Sequence, residues 1–196
     1  MRALWITPPE GSLDEVVAGA SEGVPILLRR PGFSTRALLA EARVLRKLAR
    51  VLLIHRRLDI ALAIGADGVH LPERGVSVGD AKAILGKRIV GASRHDREGL
   101  EQAAAEGADY ATLSPFATVP GKGPALGADG FKAQRKGVDL PVLALGGIDR
   151  ERAAMALAAG ADGVAFLRAG LDPEARRKLV SFVREDAPDD SFFPEG

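Results

Sequence analysis

Short apolar runs without a clean apolar–polar alternation recur along the chain, at 3–7, 24–29, 51–55, 68–71, 88–92, 110–114, 141–145 and 163–167. Such runs suit parallel strands covered on both faces, because neither face of the strand meets water. Between them the apolar positions recur at helical spacing. The clearest case is 34–49, where Leu38, Leu39, Ala42, Leu45, Leu48 and Ala49 share a face and Ser34 or Thr35 can accept the first orphan amides. Stretches 98–106, 150–159 and 173–184 behave alike, the last with Pro173 in a first helical turn, where its missing N–H costs no hydrogen bond.

One phrase is repeated within this pattern: Gly65-Ala66-Asp67-Gly68-Val69, Gly107-Ala108-Asp109-Tyr110-Ala111 and Gly160-Ala161-Asp162-Gly163-Val164. Each copy reads as a helix end followed by a strand, with a glycine where the chain must enter the left-handed region. The spacings of 42 and 53 residues suit one or two βα units of about 25 residues each. Eight strands alternating with helices predict an α/β fold, a single (β/α)8 TIM barrel, in preference to an open doubly wound sheet. At 196 residues the chain fits one such domain, assigned to 1–185. The acidic, Pro-containing tail 186–196 is expected to fray, yet Phe192 and Phe193 call for cover against the barrel or a second copy in a homodimer.

Composition removes several functional classes. With 46% apolar and 27% charged residues and no apolar stretch near 18 residues, the chain reads as globular and not membrane-spanning. A net charge of +1 without a concentrated basic patch argues against a nucleic-acid partner. Zero cysteines exclude disulfides, thiolate metal sites and a cysteine nucleophile. The first ten residues lack the apolar core of a signal peptide, so a cytoplasmic location is expected.

The candidate chemistry gathers at the C-terminal ends of the strands. Gly146 and Gly147 follow strand seven directly, and Ile148-Asp149 then open a helix. Backbone amides of a Gly-Gly turn can approach an anion closely, and barrels commonly hold phosphate in the loops after strands seven and eight. A tight turn alone would explain the pair elsewhere in a chain; its position predicts a small phosphorylated substrate here. Arg168 after strand eight and the Gly-flanked Lys122 after strand six are candidate cationic donors. His55, His70 and His95 end strands three, four and five, where barrel enzymes place proton carriers. Their spacing carries no metal-ligand motif, His70 also reads as a satisfied wall residue, and His95 with Ser93 is the candidate catalytic pair.

Taken together in order, these segments resemble the thiamin phosphate synthase / TenI family across nearly the whole chain. Trp5-Ile6-Thr7, Leu28-Arg29, the stretch 59–71, Gly91-Ala92-Ser93-Arg94-His95, Ser114-Pro115-Phe116-Ala117-Thr118 and Gly146-Gly147-Ile148 carry the resemblance. It implies that Gly147, Ile148 and the Phe166-Leu167 backbone hold thiazole phosphate, that Ser93 and Thr118 lie near the reacting centre, and that Arg29 belongs to the binding surface. The family's synthase branch joins thiazole phosphate to a pyrimidine pyrophosphate with Mg2+. Here the positions that would carry its metal ligands are His55-Arg56 and Gly75, and the Lys after Leu28-Arg29 is Pro31. Glu73 or Asp59 would have to replace the lost carboxylates. The TenI branch implies a thiazole tautomerase that works by proton transfer without a metal, although the His of its loop after strand six falls at Pro115. The expectation is therefore a thiazole-phosphate enzyme without a cofactor, Mg2+ entering only with the synthase alternative. A barrel that binds a phosphorylated metabolite without turnover is the third reading.

Overall fold

The computed structural model of the protein describes residues 2–185, so the tail 186–196 with Phe192 and Phe193 lies outside them. Eight parallel strands close into a barrel in sequential order: β1 (Ala3–Ile6), β2 (Ile26–Leu28), β3 (Leu52–His55), β4 (Gly68–Leu71), β5 (Ile89–Arg94), β6 (Tyr110–Leu113), β7 (Val142–Leu145) and β8 (Gly163–Phe166). β1 pairs with both β2 and β8, which leaves no free sheet edge. Helices α1 (Leu13–Ser21), α2 (Thr35–Arg46), α3 (Leu58–Ile64), α4 (Val78–Leu85), α5 (Arg97–Ala105), α6 (Gly127–Arg135), α7 (Arg150–Ala158) and α8 (Pro173–Glu185) alternate with the strands. The TIM-barrel expectation holds.

Two apolar layers account for the continuous apolar runs. The outer layer lies between sheet and helices and includes Trp5, Ile54, Val69, Ala92, Val142 and Phe166. The inner layer fills the barrel axis with Leu4, Leu27, Leu53, Ile89, Tyr110, Leu143 and Ala165. Alternate residues of each strand serve one layer or the other, so both strand faces are dry.

Strand limits shift where backbone chemistry dictates. β2 begins at Ile26 rather than 24, after Pro25, which has no N–H to give a ladder. β5 runs on to Arg94 because Ser93 and Arg94 stay in register with Thr112 and Leu113 of β6. α2 is capped by Ser34, whose hydroxyl accepts from the Ala37 amide at 3.2 Å, and it gives way after Arg46 to a last turn in which the Ala49 amide reaches Leu45 O at 2.8 Å.

The three repeated glycines occupy the left-handed region, at φ 64° for Gly65, 84° for Gly107 and 91° for Gly160. The repeated aspartates have a structural task at the N-terminal end of the barrel. Asp67 accepts from the Leu52 amide at 2.7 Å, Asp109 from Val90 at 2.6 Å and Asp162 from Val142 at 2.8 Å. Each also pairs with a cation from the helix preceding that strand: Arg46, Lys82 and Arg135. These are staples of the frame, at the end opposite the site.

Candidate active site

Side chains that alternate inward along the strands emerge at the C-terminal ends and line a cavity of about 490 Å³. β2 supplies Arg29 just past its end, β3 His55, β4 His70, β5 Ser93, β7 Leu145 and the segment after β8 Leu167. Thr118 and Lys122 enter from the loop between β6 and α6, and Gly146, Gly147 and Ile148 from the turn after β7. His95, Phe166 and Arg168 complete the set, so the catalytic and substrate-binding candidates border one cavity, whereas Asp59, offered as a metal ligand, does not. Phe166 does so from its strand, while its ring packs in the outer layer.

The turn after β7 is built for close approach. Gly146 sits at φ 110° and Gly147 at φ 66°. A Cβ on Gly146 would lie 3.0 Å from Pro115 Cα, and one on Gly147 3.0 Å from Ala117 Cβ, so the turn packs directly on the β6–α6 loop. That loop is tied to it by the Phe116 amide on Leu145 O at 2.8 Å and the Ala117 amide on Gly146 O at 3.0 Å. Among the described residues the amides of Gly147 and Ile148 have no acceptor. Asp149 caps α7 as expected, accepting from the Arg152 amide at 2.9 Å, and Arg152 in turn donates to Gly147 O at 3.1 Å. Two unspent amides beside a helix N-terminus are donors of the kind that can receive an anion. Of the two candidate cations, Lys122 makes no ion pair among the described residues, whereas Arg168 is held by Glu10 at 2.9 Å.

The three histidines differ in what they can do. His70 is buried, its Nδ1 lying 2.9 Å from Tyr110 Oη and its Nε2 2.9 Å from Ser93 Oγ. Burial, then the charges of His55 and Arg94, push it down to about 3. Burial, then Arg29 and Arg56, push His55 down to about 4, and its buried Nδ1 has no partner among the described residues. Both rings are therefore neutral near pH 7 and resist taking a proton. His95 is only half-buried, and its Nδ1 lies 2.6 Å from Ser114 O. A carbonyl oxygen only accepts, so Nδ1 carries the hydrogen and the neutral ring keeps a lone pair on Nε2. Asp96 caps α5, its carboxylate accepting from the Gly99 amide, so His95 is free of that task.

The donor set does not fit Mg2+. That ion takes oxygen ligands in octahedral geometry, with carboxylates as its protein anchors. Among the described residues Glu73 is the one carboxylate lining the cavity, and Asp59 is engaged by Arg57 at 2.6 Å. Among the described residues no group of three His, Asp or Glu side chains converges as a metal would require. The β2–β3 side of the mouth carries Arg29, Arg56 and a neutral His55 instead.

Two features escaped sequence reasoning. Arg56 is the non-glycine residue with positive φ among the described residues, at 53°, and its amide donates to His70 O at 3.0 Å. Tyr110 reaches over Gly91 of β5 to His70 of β4, and the repeated phrase held the signal: Tyr110 stands where the other two copies have Gly68 and Gly163.

A closed barrel whose C-terminal mouth brings free backbone amides and inward polar side chains to one cavity has the layout of a barrel enzyme's active site. Residues 5–169 match the family described as thiamine monophosphate synthase, and the chain belongs to that family. A putative thiamine-phosphate synthase of Geobacter sulfurreducens is 44% identical over 180 residues, covering 86% of this chain and 84% of that protein. The thiamine-phosphate synthase of Chloroflexus aurantiacus is 37% identical over 186 residues, covering 88% and 85%. Among solved structures, a thiamine phosphate pyrophosphorylase from Pyrococcus furiosus superposes with a TM-score of 0.84 at 30% identity, covering 94% of this chain and 96% of that one. The protein is thus an enzyme of the thiamine-phosphate synthase family, with a role in thiamin biosynthesis. Among the described residues no helix is long and apolar enough to cross a membrane.

Proposed function

We propose that the enzyme binds thiazole phosphate with its phosphate on the Gly147 and Ile148 amides and shifts a proton on the thiazole without a metal. The observation that carries this reading is the division of one cavity: an anion cradle stands at one side, and a carboxylate-poor, cationic wall stands where a divalent ion would need oxygen ligands. Lys122 closes over the bound phosphate as a point charge. His95 serves as base through Nε2, its ring held by Ser114 O, and returns the proton as acid at the tautomeric position. Ser93 and Thr118 face the heterocycle, and Leu145 and Leu167 exclude water from it.

A second reading, synthesis of thiamine phosphate from thiazole phosphate and a pyrimidine pyrophosphate, is favoured by the names of the relatives. The two separate in one experiment. Thiazole phosphate tautomer is followed by NMR in the presence of EDTA, then with Mg2+ and the pyrimidine pyrophosphate added. Interconversion under EDTA, lost in His95→Gln, supports proton transfer at this site. Thiamine phosphate formed only with Mg2+ would replace it by the synthase reading, and neither product would leave a binding barrel.

A further inference from the structure

We infer that Tyr110 is a positioning residue which, through His70, turns the Ser93 hydroxyl hydrogen into the cavity, so that Ser93 donates to an acceptor atom of the ligand.

The register places His70 of β4, Gly91 of β5 and Tyr110 of β6 side by side, since Gly91 is the Cα partner of both. Gly91 is what lets the outer two meet. A Cβ there would lie 2.2 Å from Tyr110 Cζ and 2.6 Å from its Oη, so the phenol crosses β5 only above a residue without a side chain. Ser93, two residues on, faces the same way and returns the line to the cavity. The result is a chain of Tyr110 Oη, His70 Nδ1, His70 Nε2 and Ser93 Oγ with both links at 2.9 Å.

Its polarity follows from the groups. A phenol is a far more acidic hydroxyl than serine, hence the better donor and the poorer acceptor. Tyr110 therefore donates to Nδ1, which leaves the single hydrogen of the neutral ring on Nε2. Two hydroxyl oxygens face that nitrogen, Ser93 Oγ at 2.9 Å and Thr112 Oγ1 at 3.5 Å, and either can accept. With Oγ already accepting from the imidazole, the Ser93 hydrogen is directed to the ligand. The trio has the outline of a nucleophile–base–orienter set but not its chemistry. A third member without negative charge does not stabilise an imidazolium, and a ring held at about 3 does not take the serine proton near pH 7. Ser93 is a preset donor, not a nucleophile, and the geometry suits a phosphate oxygen or an unprotonated ring nitrogen.

Two measurements test this, and only the second rests on thiazole phosphate being the ligand. Histidine 15N spectra of the ligand-free protein report the His70 tautomer. The wild type is expected to be Nε2–H, Tyr110→Phe to become a tautomer mixture, and Ser93→Ala to remain Nε2–H because Tyr110 sets the ring. An Nδ1–H ring in the wild type, or a ring that follows Ser93 instead of Tyr110, overturns the inference; the Ser93→Ala spectrum decides it even if Tyr110→Phe does not fold. In binding titrations with thiazole phosphate, Tyr110→Phe and Ser93→Ala are each expected to weaken affinity about ten-fold, the loss of one hydrogen bond, with the double variant no weaker than either. Losses that multiply in the double variant overturn it. A wild type that does not bind thiazole phosphate counts against the proposed function alone, and the tautomer then decides.

Discussion

At the scale of single residues, the site depends on two kinds of position: glycines that give room and histidines whose surroundings choose their charge. Gly147 combines φ 66° with a Cβ position 3.0 Å from Ala117, so Gly147→Ala meets both backbone strain and contact. A loss of about 1–3 kcal/mol in stability is expected by urea denaturation, together with weaker binding of thiazole phosphate. The histidines predict a pH dependence with a definite sign. His55 and His70 lie at about 4 and about 3 in the folded protein, against an ordinary 6.5, so the unfolded chain binds more protons below 6.5. The stability they contribute is complete above pH 6.5 and is lost as the pH falls towards 4 and then 3. Glu22 and Asp59 are held below their ordinary values by Arg176 and Arg57, so such carboxylates stay ionised at pH 5 and above. The urea midpoint should therefore fall between pH 6.5 and about 5, with a shallower slope in His70→Gln. A flat midpoint over that window would contradict the neutral assignment of both rings.

At the scale of elements, the barrel is assembled from βα pairs closed by the same device. The carboxylates of Asp67, Asp109 and Asp162, each just before an even-numbered strand, hold an amide of the preceding strand and a cation from the helix before it. Arg176 of α8 and Glu22, which follows α1, join at 2.9 Å across the place where the chain ends meet. The amide link matters more than the ion pair, because the pairs are partly solvated and a strand amide without an acceptor bears the full cost of desolvation. Asp162→Ala is expected to cost about 1–3 kcal/mol and to speed hydrogen exchange at the Val142 amide, whereas Arg135→Ala costs under about 1 kcal/mol. The repeat was legible in the sequence as a phrase, and its glycines as helix ends. Its aspartates were not, because their acceptor role joins residues 15 to 20 positions apart, beyond any local period.

At the scale of the whole molecule, closure makes the barrel one cooperative unit. Trp5, the single tryptophan, is fully buried in the outer layer and donates through Nε1 to Leu167 O at 3.0 Å, while Arg176 lies over its ring at 4.9 Å. It thus reports β1, the end of β8 and α8 together. Urea transitions followed by its fluorescence and by far-UV circular dichroism should coincide; separate midpoints would mean that the barrel opens at the β1–β8 seam first.

The sequence by itself determined the closed barrel, the helix ends at Gly65, Gly107 and Gly160, the cap at Asp149 and the set of residues around the mouth. These follow from local rules: strand faces dry on both sides, glycine where φ turns positive, and chemistry gathered at the strand C-termini. The tertiary structure alone decided which of those residues share a hydrogen or a charge. Three histidines that all end barrel strands became a base candidate on Ser114 O, a relay between Tyr110 and Ser93, and a neutral ring beside Arg29 and Arg56. Burial and distance set protonation, and neither is a property of sequence order. The same holds for the Gly147 and Ile148 amides: a sequence places two glycines after a strand, but only the fold leaves those amides unspent at the wall of a cavity.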